Sequence, residues 1–189
     1  MKKTLIAAAF AAFFAGSALA APQTYVVDSN HTFPRFSYNH MGLSKQILRF
    51  DKTTGTVVLD KEAKEAKVDI TIDMKSISTG SEAFNGHIQG EDFLDTANYP
   101  TATFKSTKVV FDGDKPVSIE GDLTIKDVTK PVTLTITSFF NGPHPMLKKD
   151  AIGANATAVI SRTAFNAGKF APGVGDEVTL DIALEAIVQ

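Results

Sequence analysis

Apolar and polar residues alternate along most of the chain that follows residue 20. The segment Val68–Met74 alternates without an exception, and the same pattern recurs over 117–126, 132–137 and 178–185. Successive side chains of a β-strand point to opposite faces, so each of these segments has one apolar and one polar face. Half-buried strands of this kind are typical of antiparallel sheets, because the strands of parallel sheets are continuous apolar runs.

Weaker alternation predicts further strands, at 23–28, 32–40, 54–60, 101–111 and 152–161. Turns rich in Gly, Pro and Asp separate the segments from one another. About eight or nine closely spaced strands with little helix between them predict an all-β domain. Both a sandwich and a closed up-and-down barrel satisfy this pattern, and the alternation does not choose between them.

One segment departs from the strand period and predicts a short helix. Thr79-x-x-Glu82 matches a capping box, and Phe84 and Ile88 are separated by one helical turn. We predict a helix at about 80–89, a second turn around 91–95, and an apolar helical face that covers one open end of a barrel.

The first twenty residues have the features of a secretory signal peptide. They contain Lys2-Lys3, an acid-free stretch rich in Ala and Phe, and the terminal pattern Ala18-Leu19-Ala20. We predict cleavage after Ala20, a single domain over 21–189, and export to the bacterial periplasm. The leader holds two of the 19 basic residues and none of the 21 acidic ones, so the mature chain has 17 basic residues and a net charge of −4.

Composition makes several classes of protein improbable. After residue 20 there is no cluster of Lys and Arg longer than a pair, which disfavours nucleic-acid binding. The same part of the chain has no apolar run near the roughly 18 residues of a membrane-spanning helix. The absence of Cys excludes disulfides, thiolate metal ligands and a Cys nucleophile.

The polar motifs favour structural roles over catalysis or metal binding. Asp28-Ser29-Asn30-His31 is more typical of a turn than of a catalytic triad, whose members come from separate segments. The adjacent carboxylates Glu91-Asp92 and Asp176-Glu177 lie beside Gly, as in solvated turns. The histidines at 31, 40, 87 and 144 are too scattered to predict a metal site, and we expect a structural hydrogen bond for His31. We therefore predict no enzyme activity, no metal and no cofactor.

Phenylalanine is abundant, with 14 in the whole chain. An eight-stranded barrel can fill its interior with side chains or hold one small ligand, and composition does not decide between these alternatives.

At this point the motifs resemble those of the YceI family. The resemblance runs in order over nearly the whole mature chain and rests on these blocks: Asp28-x-x-His31-Thr32-x-Pro34-x-Phe36-x-Tyr38-x-His40-x-Gly42, Ser76-Ile77-x-Thr79, His87-Ile88-x-x-Glu91-Asp92-Phe93-Leu94-x-x-x-x-Tyr99-Pro100-x-Ala102-x-Phe104-x-Ser106-Thr107, Gly121-Asp122-Leu123-Thr124-Ile125-x-x-Val128-Thr129-Lys130-Pro131-Val132 and Ser161-Arg162-x-x-Phe165. This chain departs from the family pattern at Phe84-Asn85, where many members have Arg-Asp, and at Leu48, where a Gly is usual.

The resemblance implies an extended, lipocalin-like antiparallel barrel of the periplasm that binds a long polyisoprenoid, such as an isoprenoid quinone or a polyprenyl phosphate. It implies a binding protein and not an enzyme. Alternation within the motifs assigns the following candidates to an apolar tunnel: Phe36, Tyr38, His40, Ile70, Ile72, Phe84, Ile88, Phe93, Phe104, Leu123 and Ile125.

A competing hypothesis is a barrel filled by its own side chains, which would act as a structural or interaction protein for a membrane redox or stress-response partner. The sequence also leaves open transient contact with the membrane or with membrane redox proteins, and a homodimer.

Overall fold

The computed structural model describes residues 21–189, and the predicted signal peptide lies outside the described residues. Eleven strands and one α-helix form the described chain. In chain order they are β1 (Gln23–Val27), β2 (Phe33–His40), β3 (Ser44–Phe50), β4 (Thr53–Asp60), β5 (Glu65–Asp73), β6 (Ile77–Ser78), α1 (Glu82–Gln89), β7 (Thr101–Asp112), β8 (Lys115–Ile125), β9 (Val128–Pro143), β10 (Asp150–Ser161) and β11 (Val174–Val188). Single 3-10 turns lie at Met74–Ser76 and Thr163–Phe165.

Eight of the strands close into an antiparallel barrel. Their order around the ring is β1-β4-β5-β7-β8-β9-β10-β11, and β11 pairs again with β1. The closing pairs join Tyr25 to Val188 and Val27 to Ala186, so the two ends of the domain meet in the sheet. The predicted all-β barrel with one short helix is confirmed.

The three remaining strands branch from the barrel at β11. The part of β11 that precedes its contact with β1 pairs with β2, from Val178 opposite Tyr38 to Ala183 opposite Phe33. Strand β3 pairs with β2, and β6 pairs with β3 only at Arg49 and Phe50. The branch thus extends the wall of the barrel towards α1.

The strand predictions missed β3 and the short β6. In Ser44–Phe50 the buried Leu48 and Phe50 alternate with exposed residues, but Ile47 faces outward, so two apolar residues are adjacent and the sequence pattern is broken. Leu48, which replaces a usual Gly, fits a regular strand and is buried in the core.

The helix lies where it was predicted, but its N-cap is Ser81 and not Thr79. The Ser81 hydroxyl accepts a hydrogen bond from the backbone N–H of Phe84 at 3.4 Å. Thr79 instead accepts a bond from the Ser81 N–H at 3.2 Å, which fixes the turn before the helix. The predicted capping box is therefore wrong, because Ser81 is in extended conformation and takes the cap itself.

Two hydrophobic clusters form the core, one in the barrel wall and one beneath the helix. The second cluster joins Tyr38, Leu48 and Phe50 of the branch to Met74 and Ile88. Within residues 21–189 no helix has the length and apolarity that crossing a membrane requires.

Candidate ligand-binding site

The barrel interior contains an apolar cavity of about 230 Å³. An engineered apolar cavity of about 150 Å³ already binds a molecule of the size of benzene. The wall consists mainly of aliphatic and aromatic side chains, among them Val68, Met74, Ala102, Ile119, Val132, Leu134, Ile136, Ala154, Ala156, Ile160, Phe165, Val178, Leu180, Ile182 and Leu184. The interior is therefore not filled by its own side chains, which disfavours the hypothesis of a packed barrel.

One end of the barrel is solid. Tyr25, Leu59, Ile152 and Ala186 pack there, and each is buried. The Tyr25 hydroxyl donates to the side-chain oxygen of Gln23 at 2.7 Å and accepts from the Asn141 amide at 3.0 Å. A buried phenol with both a donor and an acceptor bond is satisfied, so Tyr25 is held in this plug, and neither it nor Leu59, Ile152 or Ala186 lines the cavity.

The opposite end is covered by α1 and the turn that follows it. Ile88, Phe93 and Leu94 from this segment line the cavity. The branch completes the cover with aromatic rings: Phe36 stacks on Phe50 with centroids 5.7 Å apart and on Tyr38 at 6.4 Å. Stacked aromatic pairs contribute roughly 0.5–1.5 kcal/mol beyond their buried area, so they fix this wall.

Gly121 determines how Phe104 lies in the wall. A Cβ atom at position 121 would lie 2.5 Å from Cζ of Phe104 and 2.6 Å from the carbonyl oxygen of Lys105. Only glycine lets the ring lie across the neighbouring strand so closely.

All but two of the predicted tunnel residues lie in the cavity wall. Those in the wall are Phe36, Tyr38, Ile70, Ile72, Ile88, Phe93, Phe104, Leu123 and Ile125. Their contact with a ligand remains a prediction.

His40 and Phe84 do not line the cavity. His40 is the last residue of β2, where it pairs with Val174 beyond a shift in the register with β11, and it is not among the residues that line the cavity. Phe84 lies one turn before Ile88, packs on the cluster beneath the helix, and stacks on His87 with centroids 6.1 Å apart. The structure therefore places nine of the eleven candidates in the wall and leaves these two outside it, and contact of His40 and Phe84 with a ligand stays a prediction.

Arg162 is a polar residue of the wall that sequence reasoning did not select. Its guanidinium donates to four backbone carbonyls, those of Gly175 (2.8 Å), Ala167 (2.6 Å), Lys169 (2.9 Å) and Val174 (2.6 Å). Burial lowers its pKa, and the charge of Asp176 opposes that effect. Arg162 thereby holds the loop between β10 and β11 against the cavity, and its place in the Ser161-Arg162 motif was the available signal.

These features can be compared with known proteins. The YceI-like domain matches residues 25–186. The chain is 38% identical to Protein YceI of Escherichia coli O157:H7 over 192 aligned positions, which cover all of both chains. The chain belongs to the YceI family.

Solved structures agree with this YceI-family fold. BcnA of Burkholderia cenocepacia is 27% identical with a TM-score of 0.70, over 85% of this chain and 99% of that one. A polyisoprenoid binding domain from Saccharophagus degradans has a TM-score of 0.66 at 16% identity, over 88% of this chain and 99% of that one, and so supports the fold alone.

Two hydroxyl groups of the YceI-family cavity are notable. Burial raises the pKa of Tyr38, so its phenol stays protonated at neutral pH. Thr53 is 1% exposed, and its hydroxyl has no hydrogen-bond partner among the described residues. An unsatisfied buried hydroxyl costs roughly 1–3 kcal/mol, which marks Thr53 as a group suited to meet a polar ligand atom.

Outside the cavity of this YceI-family protein, the polar motifs form local contacts. His31 Nδ1 lies 2.7 Å from Oδ2 of Asp28, and a carboxylate oxygen of Glu185 is within 4.8 Å of both groups. The hydrogen bond from His31 lowers the pKa of Asp28, and Asp28 raises the pKa of His31. Asp176 accepts a bond from the Ser161 hydroxyl at 2.7 Å, which lowers its pKa. Asn85, in the Phe84-Asn85 departure from the family pattern, accepts from the Thr79 N–H at 2.8 Å and supports the start of α1.

Proposed function

We propose that this protein encloses the chain of a polyisoprenoid lipid in the barrel interior and thereby serves its transport, storage or metabolism. The observation that carries the proposal is the apolar cavity, which spans the barrel from the plug to α1. Membership of the YceI family and the likeness to a polyisoprenoid binding domain support it.

The binding energy comes from burial of the tail. Each buried carbon of an isoprenoid contributes roughly 0.8 kcal/mol, so one five-carbon unit contributes about 4 kcal/mol before the costs of binding. A micromolar complex requires about 8 kcal/mol net. A few enclosed units therefore suffice, and no covalent step is needed, in keeping with a binding protein that is not an enzyme.

The charges of the wall favour an uncharged head group. Among the described residues that line the cavity, Arg35 and Arg162 are the cations. Arg35 pairs with Asp181 at 3.1 Å, and Arg162 is engaged by four carbonyls. Neither is available to neutralise a phosphate, so a quinone fits better than a polyprenyl phosphate. The free Thr53 hydroxyl then donates to the head group's carbonyl oxygen.

The first experiment is organic extraction of the protein purified from its native periplasm, followed by mass spectrometry. We expect the mass spectra to show a prenylated lipid that is extracted only from the fraction that contains the protein. The same preparation tests the proposed removal of residues 1–20, because the intact mass reports the N-terminus of the 21–189 domain. Recovery of no prenyl lipid, together with no uptake of added ubiquinone, would overturn the proposal.

The second experiment compares head groups. Apo protein is titrated with long-chain ubiquinone and with undecaprenyl phosphate, and we expect the quinone to bind at least tenfold more tightly. Thr53→Val should weaken quinone binding, whereas Thr53→Ser, which keeps a hydroxyl, should not. Preferential binding of the phosphate, or equal binding by both variants, would contradict the assignment of the head group.

A further inference from the structure

The end of the protein that carries α1 has an exposed apolar tip. It consists of Leu43 (82% exposed), Ile47 (66%) and Met41 (58%) from the β2–β3 hairpin, together with Phe170 (55%) from the loop between β10 and β11. The two loops are joined through the backbone, because the Met41 N–H donates to the carbonyl of Gly173 at 3.0 Å. Clustered apolar residues of this exposure mark an interaction surface.

This apolar tip lies directly outside the cavity wall. The Phe170 ring is 6.1 Å from the ring of Phe93, which lines the cavity. The Val174 N–H donates to the Phe170 carbonyl at 2.9 Å, and Val174 also lines the cavity. At this end, a continuous apolar path thus leads from the cavity to the surface. The path is only a few side chains long.

The charges beside the tip suit a membrane surface. Lys45 lies between Leu43 and Ile47 in the sequence and is exposed, as is each of them. The Lys169 ammonium is 5.5 Å from the Phe170 ring centroid and pairs with the Asp92 carboxylate at 3.1 Å, which leaves Lys45 as the cation of the tip that faces lipid head groups. Apolar side chains flanked by lysines are the combination that anchors proteins in the interfacial region of anionic membranes.

We propose that the apolar tip docks on a lipid bilayer and that ligand passes between bilayer and cavity at this end. The inference rests on the proposed function, because a polyisoprenoid has almost no monomeric form in water and must be taken from a membrane by direct contact. The tip inserts its apolar side chains among the lipids, and Lys45 contacts the head groups.

The opposite end of the molecule provides a matched control. Met146 (83% exposed) and Leu147 lie in the β9–β10 turn beyond the plug, and Lys148 and Lys149 follow them. This turn has two exposed apolar residues, against four in the tip, and two lysines, and the buried residues of the plug lie between it and the cavity. Non-specific attraction to a membrane would act on both ends alike.

The experiment uses vesicles of phosphatidylethanolamine and phosphatidylglycerol that contain long-chain ubiquinone. Flotation measures binding, and the quinone recovered in the protein fraction over time measures uptake. We expect Leu43→Asp/Ile47→Asp to reduce both the bound fraction and the uptake rate at least tenfold, with Leu43→Ser intermediate. Met146→Asp/Leu147→Asp should stay within twofold of the unaltered protein. Circular dichroism and thermal melts check that all variants fold.

Delivery of ubiquinone from detergent micelles separates this inference from the proposed function. If the tip variants take up quinone normally from micelles but slowly from vesicles, docking is supported. If no protein takes up quinone from either source, the proposed function fails, and flotation alone still decides on docking. Equal losses in the two double variants would overturn the inference. Failure of the unaltered protein to float with vesicles would also overturn it. A third contrary result is a dimer, seen by size-exclusion chromatography, that Leu43→Asp/Ile47→Asp disrupts without a change in flotation.

Discussion

The cavity and the plug predict opposite outcomes for the same substitution. Ala156 faces the cavity from the middle of β10, whereas Ala186 lies in the solid plug and is fully buried. Leucine at either position adds three carbon atoms. At 156 these atoms occupy empty space, so the ligand-free protein should be as stable as before or more stable. At 186 they must displace packed neighbours, which costs roughly 1–3 kcal/mol.

Ligand binding should respond in the opposite sense. Each carbon added at 156 excludes about one carbon of the bound tail, and three carbons at roughly 0.8 kcal/mol give about 2.4 kcal/mol. At about 1.4 kcal/mol per tenfold change, Ala156→Leu should weaken ubiquinone binding about 50-fold. Ala186→Leu should leave the affinity of the folded protein unchanged.

The assay combines urea denaturation of the lipid-free protein with ubiquinone titration of each variant. The unaltered protein and Ala186→Leu are the references. If Ala156→Leu destabilised the lipid-free protein by as much as Ala186→Leu and left quinone affinity intact, the interior would be packed around position 156 and the ligand would lie elsewhere.

Three further substitutions test local features of the structure. Ser81→Ala should destabilise the protein by about 0.5–2 kcal/mol in urea denaturation, because Phe84 loses its capping acceptor; no change would mean that the cap is not formed. Arg162→Lys should cost about 2–4 kcal/mol in the same assay, since an ammonium cannot span four carbonyls, and a cost within experimental error would refute its role in holding the loop. In Asp28→Asn, the pKa of His31 measured by NMR should fall towards 6.5. The raised pKa of His31 stabilises the fold below pH 6.5, and this effect is lost as the pH rises through the pKa of the folded state. The lowered pKa of Asp28 stabilises the fold above pH 3.8, and this effect is lost as the pH falls through the pKa of the folded state. The pair should therefore act mainly between these two limits, and an unchanged His31 titration in the variant would contradict it.

Local alternation made much of the barrel predictable. Val68–Met74 and 178–185 have one buried face because one side of each strand meets the interior, and period two records that directly. Strand β3 escaped because Ile47 is apolar on its exposed face. The alternation of apolar and polar residues cannot distinguish an apolar side chain that is buried in the core from one that is exposed on the surface.

The features that depend on long-range pairing were not predictable. Nothing local in β11 shows that one part of it pairs with β1 and another with β2, so neither ring closure nor the branch follows from periodicity. The cavity is also a collective property, because it depends on the summed volumes of side chains from eight strands. The position of Phe84 depends on the same volumes: helical spacing puts it on the face of Ile88, but only Ile88 of the two lines the cavity.

The pairing of β1 with β11 imposes an order on folding. The ring closes through Tyr25 and Val188, which are separated by nearly the whole domain, and β11 also forms an edge of the β2–β3 branch. Contacts of such high sequence separation form slowly, since the intervening chain must be ordered first. The barrel cannot close until the fifteen residues of β11 are available. A nascent chain therefore cannot complete the ring before β11 has been synthesised, and its first strand waits without the partner that closes the barrel.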